Sequence, residues 1–286
     1  MPINLFIIHS HLPHRSSIDL LVQSAKNNGL EVVEIDADLF DEEEFFNKHT
    51  VPGIFYRMSL GNSAYTVEAI FLAHGFTSLY SEDFKKRILD KNVENIFLNT
   101  EGIPIPKTIF SPSRNRMVLD KQLITLGKPP FVIKVLGGYG GIGVMKVDST
   151  ESLYGVIDFL FANNFEFTVM EYIDFKLYGR LFVLGNEVIA SKQNLKQEGD
   201  FRTNEGTPLP KEFSSAIKES SIKAVKALGF EYGGVDVLVK EDGSFFIIEV
   251  NFPSSFRSTQ ETSGIQISEL IMKYLKNKHL SKYPKI

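Results

Sequence analysis

Apolar positions along this chain follow two spacings, one of period two and one near 3.6, and the switches between them mark its elements. Residues 4–8 form an apolar run, 9–17 are polar and turn-like, 18–28 carry apolar residues at helical spacing, and 31–35 make a second run. The chain thus opens as β-α-β. Residues 53–57 and 64–74 add a strand and a helix, which predicts a small open α/β unit over the first third. A helix over 81–101 follows and stops at Gly102-Ile103-Pro104-Ile105-Pro106, because proline has no amide proton to continue the ladder.

The segment between Phe110 and Pro130 is helix-length and ends in the breaker Gly127-Lys128-Pro129-Pro130. Strands at 131–136 and 143–147 flank a glycine-rich turn, 149–162 is an amphipathic helix, and 167–173 is a strand leaving the unit. Residues 110–173 are therefore expected to form one mobile lobe. Gly185-Asn186 then joins 180–184 to 187–192 as a hairpin. A helix over 213–228, strands at 234–239 and 245–250 joined by Glu241-Asp242-Gly243, and a last helix over 265–277 complete the pattern. The expected division is an α/β domain over 1–84 and a larger α+β domain over 85–286, the latter split into lobes at 110–173 and 174–286.

Composition removes several classes of chemistry. With no cysteine there is no disulfide framework, thiolate nucleophile or cysteine metal site. No window approaches the roughly 18 apolar residues of a membrane span. Met1-Pro2-Ile3-Asn4 also lacks a signal peptide's basic start, so the expected location is the cytoplasm. A formal net charge of -4 argues against a general nucleic-acid surface.

Two segments carry candidate chemistry by their own residues. Lys134-Val135-Leu136 leads into Gly137-Gly138-Tyr139-Gly140-Gly141-Ile142-Gly143, where five glycines in seven positions let backbone amides approach phosphate oxygens without obstruction by Cβ. No Lys-Ser/Thr follows the last glycine and a strand rather than a helix comes next, so this is neither a Walker A loop nor a dinucleotide fingerprint. A plain glycine hairpin would read the same way. The second segment pairs Gly234-Val235-Asp236 with Glu249-Val250-Asn251 on neighbouring strands. Asn251, two residues after Glu249, shares its face, so three hard oxygen donors converge as Mg²⁺ or Mn²⁺ requires. Ordinary strand-end acids are the plainer alternative, although an acid inside Ile-Ile-Glu-Val-Asn is costly to desolvate unpaired. Residues 198–204, Glu-Gly-Asp-Phe-Arg-Thr-Asn, form a polar loop that is notable only in this company.

These motifs, together with Glu171-Tyr172-Ile173, resemble in order and spacing the ATP-grasp superfamily, and most closely its RimK-like branch of alpha-L-glutamate-type ligases, over about residues 90–277. The resemblance implies an ATP-grasp fold behind a pre-ATP-grasp α/β domain, and an ADP-forming ligase that joins a small-molecule or peptide carboxylate to an amino-acid amine. Lys91 and Lys134 would neutralise phosphate charge, and Gly137, Gly138, Gly140, Gly141, Ile142 and Gly143 would close over the triphosphate. Met170, Glu171, Tyr172 and Ile173 would hold adenine, and Asp236, Glu249 and Asn251 would hold Mg²⁺. Arg180 and Arg202 would face the transferred phosphoryl group, while Arg57, Asn204 and Arg257 would stand on the substrate side. Relatives are often dimers or tetramers.

Departures from the family pattern fall on the acceptor side. Asn251-Phe252-Pro253-Ser254-Ser255-Phe256-Arg257 replaces the family's Asn-Ala-Ser-Pro-Gly, Tyr178 replaces an acid, and Glu205-Gly206 replaces His-Arg. A nucleotide-binding module that no longer ligates is therefore an open alternative. A dinucleotide-dependent dehydrogenase ranks last, because His9-Ser10-His11-Leu12-Pro13 stands where its glycines belong.

Overall fold

The computed structural model describes residues 2–10, 15–81, 91–137, 141–195 and 208–284. Three sheets organise them. The first is parallel, ordered β2-β1-β3, from β1 (Ile3–His9), β2 (Leu30–Asp36) and β3 (Ile54–Arg57). Leu5 to Ile8 are fully buried, covered on both faces, which is why β1 reads as a continuous apolar run rather than an alternation. Helices α1 (Arg15–Asn27) and α2 (Glu42–Lys48) connect these strands, and α3 (Asn62–Ala73) follows β3. The pattern missed α2 because only Phe45 is buried in it. Its start is fixed by an Asp41 cap on the Glu44 amide and by three acids in the first turn.

Helix α4 (Lys91–Thr100) leads to the second sheet, which is antiparallel with order β4-β7-β5-β6. Its strands are β4 (Thr108–Ile109), β5 (Phe131–Val135), β6 (Val144–Val147) and β7 (Phe167–Glu171). Helices α5 (Arg116–Leu126) and α6 (Thr150–Ala162) pack on one face, and Leu119, Leu123, Ile133, Leu153, Ile157 and Val169 form a core among themselves. Residues 82–90, where the predicted helix over 81–101 begins, lie outside the described set.

The third sheet is antiparallel, ordered β10-β9-β8-β11-β12. It contains β8 (Leu177–Leu184), β9 (Glu187–Leu195), β10 (Leu209–Pro210), β11 (Tyr232–Val239) and β12 (Phe245–Asn251). Helix α7 (Ser215–Ala227) covers one face, and α8 (Arg257–Ser263) and α9 (Ile267–Lys282) follow β12. The first and third sheets share their cores: Phe6, Phe55 and Phe71 belong with Val225, Val235 and Ile247, and Leu5 and Tyr56 with Phe182, Tyr232 and Met272. No helix among the described residues is long and apolar enough to cross a membrane.

One buried ion pair reinforces that junction. Arg57 and Glu68 are 2% and 0% exposed, with Arg57 Nε 2.9 Å from Glu68 Oε1, and the Tyr80 hydroxyl donates to the same oxygen at 2.8 Å. Arg57 also donates to the carbonyls of Ser59 and, at 3.4 Å, Phe252, and its guanidinium lies 4.2 Å from the Tyr65 ring centroid.

Removing one member of this pair leaves an uncompensated buried charge. Arg57→Ala and Glu68→Ala are each expected to lower the unfolding free energy by about 3–5 kcal/mol, with the double variant Arg57→Met/Glu68→Leu recovering most of it. Urea melts decide, and a double-variant loss equal to the sum of the single losses would refute the coupling. Gly179 on β8 faces Phe213, whose ring a Cβ would overlap while lying 3.0 Å from Val237 Cγ1. Gly179→Ala should therefore cost about 1–3 kcal/mol by overpacking, measurable in the same melts.

Candidate active site

Two β-bulges set the arrangement of charged side chains on the open face of the third sheet. In the β8–β9 hairpin, Leu184 pairs with Glu187 and Val183 with Val188, but Phe182 pairs with Ala190, so Ile189 is an extra residue. Register counted from the turn alone would place Ser191 opposite Arg180. The bulge places Lys192 there instead. Between β11 and β12, Asp236 pairs with Glu249 but Val237 with Ile247, leaving Ile248 extra. Since Arg180 also pairs with Asp236, the residues Lys192, Arg180, Asp236 and Glu249 form one row across four strands, two cations followed by two acids.

The centre of that row is a bidentate ion pair. Arg180 Nε lies 2.5 Å from Asp236 Oδ1, and Nη2 lies 2.6 Å from Oδ2. Asp236 is 3% exposed, a degree of burial a carboxylate tolerates only with such partners. The Asn251 amide nitrogen adds a 3.2 Å bond to Oδ2. Burial would lower the Arg180 pKa, but the Asp236 carboxylate more than offsets it, so the guanidinium stays charged. Burial, with help from Asp236, raises the Tyr178 phenol well above its usual value and keeps it neutral. Lys192 shifts downward, first through burial and then through repulsion from Arg180. Beneath the row, Ile173, Phe175, Tyr178 and Leu238 pack with Phe246 and the bulged Ile248.

Asp236, Glu249 and Asn251 occupy one face of adjacent strands, as their spacing predicted. Two acids and an amide oxygen are hard donors, so the set fits Mg²⁺. They are too few for an all-protein cage, which suits an ion that also takes phosphate oxygens. Arg180 clamps Asp236 from the other side and fixes its orientation.

The second sheet carries other sequence-predicted residues. On β5, Ile133 enters the helix-covered core, so strand alternation puts Lys134 on the other face with Val132 and their neighbours Thr168, Met170 and Lys146. Lys146, which sequence reasoning passed over, has its Nζ 4.9 Å from the Tyr172 ring centroid and 3.0 Å from Asp148. Gly137, Gly141 and Gly143 take φ of 80°, 81° and 81°, the left-handed region that favours glycine, and Ile142 is exposed. Gly138 and Gly140 lie outside the described residues, as do Arg202 and Asn204; of Lys91 only the backbone, at the start of α4, is described.

Residues 171–176 carry the chain from one sheet to the other. Glu171 is fastened to Lys107 twice, its amide donating to the Lys107 carbonyl at 3.0 Å and its Oε1 accepting from the Lys107 amide at 2.8 Å. The Tyr172 amide donates to Pro130 and the Lys176 amide to Val239. Met170 is half-buried, paired with Val132 and Thr108, whereas Ile173 is buried in the cluster under the row.

The residues expected beside the substrate are dispersed. Arg57 lies neither at the surface nor open to a ligand, because Glu68 and the Ser59 and Phe252 carbonyls engage its guanidinium. Arg257 is exposed on α8, its Nε 2.6 Å from Glu261 Oε1. Between them, residues 252–256 form a strap that leaves β12 at Asn251 and sets the Ser254 side chain over Gly234, where a Cβ would lie 3.0 Å from Ser254 Cβ and overlap its Oγ. The strap continues into α8, which packs on β9 and β10, and Ser258 accepts a 3.5 Å bond from Lys192 Nζ.

Comparison with known proteins identifies the family and the fold. The profile of the RimK-like ATP-grasp domain matches residues 89–275. A relative named "Probable alpha-L-glutamate ligase 1" from Shewanella sp. (strain W3-18-1) is 32% identical over 212 residues, covering 72% of this chain and 67% of its own. Two solved structures share the fold at low identity. The ATP-grasp ligase PsnB complexed with minimal precursor has a TM-score of 0.76 at 17% identity, covering 97% of this chain and 100% of its own. D-alanine–D-alanine ligase from Bacillus anthracis complexed with ATP has a TM-score of 0.72 at 20% identity, covering 98% of each chain. The motifs read along the sequence, the sheets that carry them and these likenesses agree: the chain belongs to the RimK-like ATP-grasp family.

Proposed function

We propose that the cleft between the second and third sheets binds ATP and performs acyl-phosphate ligation through Lys134, Arg180, Asp236, Glu249 and Asn251. ATP-dependent carbon–nitrogen ligation is the chemistry of the family, and the residue assignments are our reading. The observation that carries them is the row itself: a charged arginine clamped beside two acids and an amide oxygen, on a sheet tied by residues 171–176 to the one bearing Lys134 and the glycine loop.

In the first step a carboxylate oxygen of the donor attacks the γ-phosphorus of ATP, the bond to the β-phosphate bridging oxygen breaks, and ADP leaves. Lys134 and the described glycines Gly137, Gly141 and Gly143 neutralise and cradle phosphate oxygens. Arg180, held by Asp236, presents a fixed planar cation to the transferred group, and such positioning provides most of the catalysis in phosphoryl transfer. Mg²⁺ held by Asp236, Glu249 and Asn251 would supply Lewis-acid charge to the phosphates. In the second step an amine attacks the acyl carbon, loses a proton, and the carbon–oxygen bond breaks to release phosphate. We assign the unit over 110–173 as the lobe that closes, with Glu171–Lys107 at its hinge, because a mixed anhydride must be shielded from water. The relative's name makes glutamate the first amine to try.

Lys134→Ala and Glu249→Ala should each reduce amine- and carboxylate-dependent ADP release by about 10²–10³-fold or more while leaving the thermal melt unchanged. Steady-state assays across amino acids and dipeptides test this, and unaltered turnover would remove those residues from the mechanism. Arg180→Lys keeps the charge but loses the bidentate fork, and is expected to lower kcat at least about tenfold. An unchanged kcat would place Arg180 outside the chemistry.

A further inference from the structure

We propose that Lys192 is the recognition group for a carboxylate carried by the amine-bearing substrate, held beside Arg180 beneath the strap formed by residues 252–256 and the start of α8. This deepens the ligase reading and rests on it for the word substrate. Its basis is the charge arrangement of the row. Arg180 is matched by Asp236 through two short hydrogen bonds. Lys192, half-buried one strand away, has no carboxylate within ion-pair distance among the described residues, and its polar partner there is the Ser258 hydroxyl at 3.5 Å. A lysine that keeps its ammonium in a half-buried place beside a like charge is retained at a cost, and an anionic ligand relieves it.

A second observation points the same way. The Ser254 hydroxyl is only 4% exposed and finds no hydrogen-bond partner among the described residues. It sits over Gly234, whose strand neighbour is Phe182, two residues along β8 from Arg180. Lys192 and this orphan hydroxyl therefore flank Arg180, one from β9 and one from the strap above β11. Ser254 has an unused donor, the Lys192 ammonium has N–H groups beyond the one toward Ser258, and a carboxylate accepts from several donors at once.

Position decides between a substrate carboxylate and a phosphate of the nucleotide. Lys192 and Glu249 end the row three strands apart, about 14 Å at ordinary strand spacing. The acids and Asn251 at the far end are where the triphosphate and its metal are assigned, and Arg180 lies between as the transfer point. An amine that attacks beside Arg180 has its own carboxylate within one strand spacing, which is where Lys192 stands. An α-amino acid fits that separation, and the same residue can serve a larger molecule only through a carboxylate near its amine.

The test is direct binding, independent of turnover. The full chain, with Mg²⁺ and a non-hydrolysable ATP analogue, is titrated calorimetrically with the twenty amino acids and their carboxamides, using wild type, Lys192→Met, Lys192→Arg and Ser254→Ala. At least one amino acid is expected to bind wild type better than its carboxamide. Lys192→Met, which keeps the aliphatic stem, should lose roughly tenfold or more of that affinity, while carboxamide and nucleotide binding stay level. Lys192→Arg should retain most of it, and Ser254→Ala should weaken it without lowering the melting temperature. No preference for the free carboxylate in wild type, equal binding by Lys192→Met, or a loss confined to the ATP analogue would each overturn the assignment. ADP release is measured on the same protein preparations with ATP in place of the analogue: binding that depends on Lys192 without amine-dependent ADP release would fail the ligase reading and leave the carboxylate site standing.

Discussion

The ion pair between Arg180 and Asp236 is the constraint around which this cleft is built. A carboxylate buried to 3% exposure on a β-sheet face needs a charged, geometrically matched partner, and the guanidinium fork across one strand spacing supplies two parallel bonds. Once that pair is fixed, its neighbours on either side follow from the ladder: Glu249 beside Asp236 on β12, Lys192 beside Arg180 on β9. One strand-to-strand contact therefore orders Glu249, Asp236, Arg180 and the proposed carboxylate anchor Lys192 along a single line.

Two inserted residues make that line possible. Ile189 and Ile248 are the extra residues of bulges, three positions from Lys192 and one from Glu249 respectively. Slipping a strand by one residue turns its side chains to the other face. Without the first bulge, Ser191 rather than Lys192 would lie across from Arg180. The second lets Glu249 and Asn251 reach the site face while Ile247 points into the core shared with the first sheet. Bulges commonly redirect side chains near functional sites, and here both set the register of strands that carry the charged row.

The strap after Asn251 connects the site to the rest of the molecule. Its Phe252 carbonyl accepts from Arg57, so a buried pair centred on β3 and α3 anchors the segment that lies over Gly234 of β11. The first sheet is thereby tied to the strap: Arg57 reaches it through the backbone carbonyl of Phe252. The second sheet contrasts with it, having a core of its own and joining the third through residues 171–176.

Local pattern was enough to establish the strand runs, the glycine turn, the hairpin at Gly185-Asn186 and the shared face of Asp236, Glu249 and Asn251, because each depends on residues a few positions apart. Short helices such as α2 and α8 escaped it, each having too few buried residues to show a period. Arg57 looked in sequence like a substrate arginine, and only packing against Glu68, eleven residues further on, turned it inward. Lys192 carried no motif at all: its place beside Arg180 comes from a bulge, and bulges are decided by how two strands fit over a common core rather than by either strand alone. The sequence by itself determined which chemistry the chain could hold. The tertiary structure decided which charges meet, since that depends on register across strands.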